Sequence, residues 1–268
     1  MNRAVEIAHL EGVLTAASLM VGAPAAAGAV EIARRLPRLA VGLHLALVDA
    51  APVLPASAVP DLVDGHGRFR ANMALSGATM FFLPHVRRQM IAEVRAQFEA
   101  FRATGLKLDH VAAHKQFHLH PSITSAILDL AAEFGVRAVR APLEPGAVLA
   151  GIEPAAPDLA AAALRPFVWL QRARLKHAGL ATPDQVFGLS WSGAMTSSRL
   201  VGLMAHLPQG VTEIYTHPAT SSGFVGATPG YRYEEELAAL ASPDLRRLLA
   251  ETWVASGGLS DAVNFSHL

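Results

Sequence analysis

Histidine carries most of the chemical potential in this chain, and its placement is uneven. Three imidazoles, His114, His118 and His120, stand close together in the run HKQFHLHP. His44 interrupts the apolar run LAVGLHLALV, where an imidazole without a partner is costly to bury. His217 closes VTEIYTH and is followed by Pro218. The chain has no cysteine, so any metal must be held by imidazole and oxygen ligands. Neutral imidazoles from two strands supply the nitrogen half of a His/His/carboxylate site. Such a site keeps coordination positions open for water and substrate, as metal-assisted hydrolysis requires. Asp109 is the nearest carboxylate in sequence, but strand alternation points it away from the face of His114. Spacing does not choose the reaction. Phosphoesterases use histidine-rich rims too, and a metal-binding protein without catalysis offers the same residues.

The other histidines read as bland. His66 and His85 stand in polar or loop contexts, His9 and His177 lie on helical patterns, and His206 and His267 carry no pattern that suggests chemistry. His110 precedes His114 by four residues and shares its strand face. It reads as a satisfied core histidine, with support of the ligand residues as the alternative.

The elements that position these residues alternate between helix and strand. Helical spacing covers 2–11 and ends at Gly12; 14–21 is a buried strand; Ala25 to Leu36 is a helix closed by Pro37. Strand 39–48 carries His44 and leads into a Pro-rich loop at 49–60. A long amphipathic helix with mixed charges, Glu93 among them, covers 84–103 and stops at Gly105. Residues 108–114 form a strand, 121–134 a helix stopped by Gly135, and 136–141 and 211–217 two further strands. This βα alternation predicts a parallel α/β fold, barrel-like at 268 residues, with 1–268 as one domain. In such folds the carboxyl ends of strands converge on one rim, which is where His44, His114 and His217 stand.

Composition narrows the class. Apolar residues make up 52% and charged ones 16%, which excludes a disordered chain and predicts a substantial core. Acidic and basic residues balance at 22 each, so nucleic acid is not expected as a partner. The uncharged run Gly12 to Val30 lacks the positive start of a signal peptide and is broken by Gly22, Pro24 and Gly28. A soluble, cytoplasmic protein is the expectation.

Taken in order, NRAVEIAHLEGVLTAASLMV, VGLHLAL, GLKLDHVAAHKQFHLHP, VRAVRAPLEP, FGLSWSGAMT and TEIYTHPAT resemble the YdjC-like carbohydrate deacetylases. They look most similar to the hopanoid-biosynthesis-associated, HpnK-type branch. The resemblance implies an irregular (β/α) barrel related to polysaccharide deacetylases. It also implies metal-assisted hydrolysis of the acetamide of an amino sugar. For that branch the implied substrate is an N-acetylglucosaminyl hopanoid; a soluble chitooligosaccharide is the alternative. His44 and His114 match the family's ligands for one divalent ion, Zn or Mg. His217 matches its late histidine, which suits a general acid for the leaving amine. Arg140 resembles the arginine of an R-x-P segment that orients a carboxylate or binds substrate, with a surface salt bridge as the alternative. Gln116, His118 and His120 fall where substrate contacts or supports of the ligand residues are expected.

The sequence also departs from the pattern. Family members begin with a strand ending in an Asp-Asp-Phe-Gly-like motif, which supplies a third ligand and the general base. Here no aspartate precedes Asp49. The expectation is that this first strand is missing and lies upstream of Met1; a chain that truly lacks the pair is a catalytically dead glycan-binding barrel. Ala112, Ala113 and Gln116 replace residues more usual in the family. A possible substrate-side insertion spans 147–180, where apolar residues including Phe167, Trp169 and Leu170 run into Arg172, Arg174 and Lys176. That segment suits peripheral contact with a lipid at the inner membrane surface. A barrel helix with a solvated basic end is the alternative.

Overall fold

The structure is a computed structural model describing residues 1–154, 159–252 and 254–262. His267, and 155–158 of the segment expected to face substrate, lie outside the described residues. In chain order the elements are α1 (Asn2–Leu10), β1 (Ala16–Leu19), α2 (Ala26–Arg35), β2 (Ala40–Leu45), α3 (Met73–Phe82), α4 (Pro84–Ala103), β3 (Leu108–Ala113) and α5 (Pro121–Phe134). There follow α6 (Gly146–Ile152), α7 (Leu159–His177), β4 (Gln185–Phe187), α8 (Ser197–Ala205), β5 (Thr212–Ile214), α9 (Tyr233–Leu240) and α10 (Pro243–Glu251). The chain divides into two compact units. The first comprises Met1–Ala17, Ala141–Arg165 and Pro183–Gly257; the second comprises Ser18–Arg140, Pro166–Thr182 and the residues from Gly258.

The second unit holds the sheet β1-β2-β3, in which β2 and β3 pair in parallel. Leu43, Leu45, Val111 and Ala112 from these strands are buried with Met90, Val94, Phe98 and Phe101 of α4 and Ile123 and Ile127 of α5. Along β2 His44 is only half-buried while its neighbours Leu43 and Leu45 are fully buried. α4 runs as its spacing predicts, with Pro84 in its first turn, where a missing N–H costs nothing. α5 starts the same way and ends on Gly135, whose φ of 65° suits the left-handed cap. Glu93, one of the charges on α4, does not face solvent. It is buried, and its carboxylate accepts the Val53 and Leu54 amides at 2.8 and 3.0 Å. Gln97, one turn on, bonds both the amide and carbonyl of Ala46. These two side chains fasten the loop that leaves β2.

The first unit contains the parallel pair β4-β5, with Phe187 opposite Ile214. Its core gathers Ala8, Leu149, Phe187, Trp191, Met195, Leu200, Leu203, Leu240 and Leu245. The α/β class and parallel pairing thus match the reading of the sequence, with shorter strands. The expected strand at 136–141 reduces to two isolated bridges, Val111 with Val139 and Ala138 with Ala181. The expected strand at 211–217 keeps only Thr212–Ile214.

Candidate functional site

Parallel register sets His44 opposite Ala112 and Leu45 opposite Ala113, so His114 leaves β3 one residue beyond the end of β2. The two imidazoles meet there, with ring centroids 6.1 Å apart and edge to face at 66°. Burial holds the His114 ring below its ordinary 6.5, aided by the adjacent Lys115 ammonium and opposed by Asp49. The neutral form this favours is the one a metal ion accepts. Two imidazoles at neighbouring strand ends therefore fit the nitrogen half of a divalent-ion site. Among the described residues no group of three or more His, Asp or Glu side chains stands ready to hold an ion. The pair thus has no third close ligand within that set.

The loops leaving both strands are twisted alike. Asp49, after β2, has φ of 52°, and Lys115 and Gln116, after β3, have φ of 53° and 55°. Positive φ in residues with side chains costs energy and persists where the surroundings impose it. An ion pair between Lys115 and Asp49 joins the two loops. Sequence reading missed this clasp, since nothing in the composition of either loop marks positive φ.

The rest of HKQFHLHP forms a short 3-10 turn, His114–Leu119. His118 is 0% exposed, its Nε2 is 2.7 Å from the Arg140 carbonyl, and its own carbonyl accepts from Thr124 and Gln171. These bonds make His118 a pin of the loop. Arg140 is buried as well, which overturns the surface salt bridge considered for it. His120 lies against Phe81 and Phe117, each ring 6.1 Å away. Burial lowers its imidazole below the ordinary value, against a hydrogen bond with the Gly77 backbone and with help from Arg87. His120 Nδ1 and Gln116 Oε1 are buried polar atoms without a hydrogen-bond partner.

His217 belongs to the first unit, three residues after β5. Its amide donates to Glu236 of α9, and its ring lies between Tyr215 at 5.6 Å and Tyr231 at 5.2 Å. Glu236 is fully buried and accepts the Met195 amide at 2.9 Å with its other oxygen. Burial raises its carboxyl above the ordinary 4.5 despite those two hydrogen bonds. Glu144 does similar work in the FGLSWSG stretch, accepting the amides of Gly188, Leu189 and Ser190 at 2.8–3.0 Å. Sequence reading missed both glutamates, whose partners lie far along the chain.

Among the bland histidines, His9 bonds the Leu14 carbonyl at 2.7 Å and His206 the Gly202 carbonyl at 2.9 Å. His110 has a partner on each ring nitrogen, Asp109 and Ser18, both at 2.8 Å. It is the satisfied core histidine expected.

A family model described as YdjC-like protein matches residues 1–251. A carbohydrate deacetylase of Brevibacillus brevis is 40% identical over 136 residues, which are 51% of this chain and 52% of that protein. One of Vibrio cholerae is 33% identical over 136 residues, 51% of each chain. In these two alignments the chain spans about half the relative's length. A carbohydrate deacetylase of Geobacillus stearothermophilus is 29% identical over 258 residues, 95% of this chain and 89% of that protein. Among solved structures, an Enterococcus faecalis protein named for cellobiose-phosphate cleavage shares the fold. It aligns with a TM-score of 0.69 at 23% identity, over 93% of this chain and 88% of that one.

Proposed function

The chain belongs to the YdjC-like family, and we propose that it removes the acetyl group from an acetylamino sugar by metal-assisted hydrolysis. The observation that carries this reading is the meeting of His44 and His114 at adjacent strand ends. The names of the Brevibacillus and Geobacillus relatives support the same reaction class.

Hydrolysis of an acetamide needs a polarised carbonyl, a deprotonated water and a protonated leaving nitrogen. A divalent ion, Zn or Mg, between His44 and His114 would supply the Lewis acid. His217 holds the proton for the leaving amine, since imidazole titrates in the useful range. Its amide, tied to Glu236, fixes the backbone from which the ring projects. Gln116 and His120 offer unsatisfied polar atoms to a sugar hydroxyl or a water. Arg140 and His118 hold the loop that carries them. The third ligand and the base are assigned to carboxylates of the family's Asp-Asp type. The first strand that carries them, and closure into an irregular barrel, belong to this proposal.

A lipid-linked sugar, such as an N-acetylglucosaminyl hopanoid of the HpnK-type branch, is the favoured substrate. The corner between α3 and α4 exposes Phe81, Phe82 and Leu83, with Phe82 at 74%, and Leu75 is exposed in the first turn of α3. Phe81 touches His120, and Arg87 lies over the Phe81 ring at 5.7 Å. From Gly65 through Ala92 the chain carries no acidic residue. On α7, Phe167, Trp169 and Leu170 are exposed as well. Of the basic trio there, Arg172 lies over Trp169, while Arg174 is tied to Pro121 and Ser125 of α5. Apolar surface beside arginines suits peripheral contact with an anionic membrane surface. Among the described residues no helix is long and apolar enough to cross a membrane.

The test is release of free amine from an N-acetylglucosaminyl lipid and from di-N-acetylchitobiose, before and after chelation and with Zn or Mg restored. Metal-dependent release, abolished by His114→Ala, is expected; release that survives complete chelation would refute the mechanism. A second reading, a barrel that binds N-acetylated glycans without cleaving them, is favoured by the want of a third ligand among the described residues. It predicts glycan binding without amine release under every metal condition.

A further inference from the structure

We propose that Ser18, His110, Asp109 and Ser260 form one hydrogen-bonded chain whose role is to position the strand ends that present His44 and His114. The inference rests on the reading that this pair takes a divalent ion.

The chain is continuous across the sheet of the second unit. Ser18 Oγ on β1 is 2.8 Å from His110 Nε2 on β3, and His110 Nδ1 is 2.8 Å from Asp109 Oδ2. Asp109 then accepts from Ser260 Oγ at 2.6 Å, from the Ser260 amide at 3.2 Å and from the Leu259 amide at 2.9 Å. β2 lies between β1 and β3, so the link from Ser18 to His110 must pass over it. It does so at Gly42. A Cβ there would stand 2.4 Å from His110 Nε2, so only glycine lets the ring lie against the β2 backbone. Gly258 plays the same part below, where a Cβ would fall 2.3 Å from Asp109 Oδ1.

The register shows how neighbouring residues come to bond each other. Val41 pairs with Leu108 and Leu43 with Val111, so Gly42 alone faces both Asp109 and His110. That two-against-one count is a bulge, the feature that re-aims side chains in a strand. It lets the Asp109 carboxylate reach the ring of the next residue, which regular alternation would send to the opposite face. Expected from sequence as a plain carboxylate facing away from His114, Asp109 is the clamp that holds His110 still.

Order and spacing match a serine–histidine–aspartate triad, yet the side chains of His110 and Asp109 are only 4% and 7% exposed. The ring's flank is closed by β2, and a substrate carbonyl has no approach to it. Its effect must pass through the backbone instead. The ring bears on Gly42, two residues before His44, and belongs to the strand that delivers His114 four residues later. Metal ligands tolerate errors of only about 0.2 Å, so a small slip of either strand end is felt as lost affinity.

Cobalt(II) binding to the full chain, followed by its visible absorption, tests this. Ser18→Ala removes the link at the sheet edge, Ser260→Ala weakens it at the other end, and Gly42→Ala forces the ring away. With the far-ultraviolet circular dichroism unchanged, each is expected to weaken cobalt binding about tenfold and to alter the absorption band. In the deacetylation assay kcat should fall while KM holds, and Ser18→Thr, which restores the hydroxyl, should recover both readouts. If Gly42→Ala does not fold, the two serine variants decide. Folded serine variants that bind cobalt as the parent does overturn the positioning role and leave the metal reading intact. A parent chain that binds no cobalt overturns the metal reading, and this inference with it.

Discussion

Replacing Asp109 with asparagine removes a charge from the interior while preserving shape, and the structure sets the size of the effect. Burial pushes this carboxyl upward, but hydrogen bonds from His110 and Ser260, together with the His110 charge, outweigh it. The result is a value of about 2, against an ordinary 3.8. At 1.36 kcal/mol per unit that difference stabilises the folded protein by roughly 2 kcal/mol at neutral pH. The folded value is the lower one, so the unfolded chain takes up the proton first as acid is added. The stabilisation is therefore fully present above about pH 4 and disappears as the pH falls through 2. Urea unfolding of parent and Asp109→Asn, followed by fluorescence at steps from pH 7 to pH 2, measures it. The variant should be about 2 kcal/mol less stable at pH 7, and the gap should narrow below about pH 4. A gap of equal size at pH 7 and pH 2.5, or one below about 0.5 kcal/mol at neutrality, would show that the carboxylate does not carry this energy.

His44→Ala and His114→Ala should each weaken divalent-ion binding by at least about tenfold in equilibrium dialysis, with the fold retained. Glu236→Ala strands the amides of Met195 and His217 and should cost about 1–3 kcal/mol in thermal unfolding, with loss of amine release if His217 is the acid. Phe82→Ser should change stability by less than about 0.5 kcal/mol, since the ring is exposed, yet reduce co-sedimentation with anionic vesicles. Gly135→Ala places a side chain at a φ of 65° and should lower unfolding stability by about 1 kcal/mol.

Where local chemistry determines an element, it was legible in the sequence. α4 begins at Pro84 and runs its expected length because proline sets the first turn and apolar residues recur at helical spacing. β2 was legible as an apolar run and β3 as a short strand before the histidine cluster, and their parallel pairing is what brings His44 to His114. α3 was not foreseen because its exposed face carries Leu75, Phe81 and Phe82, which erases the contrast between inner and outer faces. VRAVRA reads as a strand by composition, but only Ala138 and Val139 find bridge partners. In the site, imidazoles announce themselves by type and position, whereas Glu144 and Glu236 bond amides more than 15 residues away. No local pattern encodes such a partnership. The Asp49–Lys115 clasp is hidden for another reason, since it depends on backbone angles that side-chain identity does not fix.

The amides and hydroxyl that close over Asp109 lie about 150 residues later in the chain. The second unit is also assembled from three separated stretches, with parts of the first unit in between. Ser18, Gly42, Asp109 and His110 all leave the ribosome long before Leu259 and Ser260. Until those last residues arrive, a carboxylate destined for the interior lacks three of its donors, and the sheet that carries His44 and His114 stays open at that point. Closure of this unit around Asp109 is therefore a slow, non-local step that waits on residues translated about 150 positions later. A pulse-labelled hydrogen-exchange experiment should find the amides of β3 among the last to gain protection.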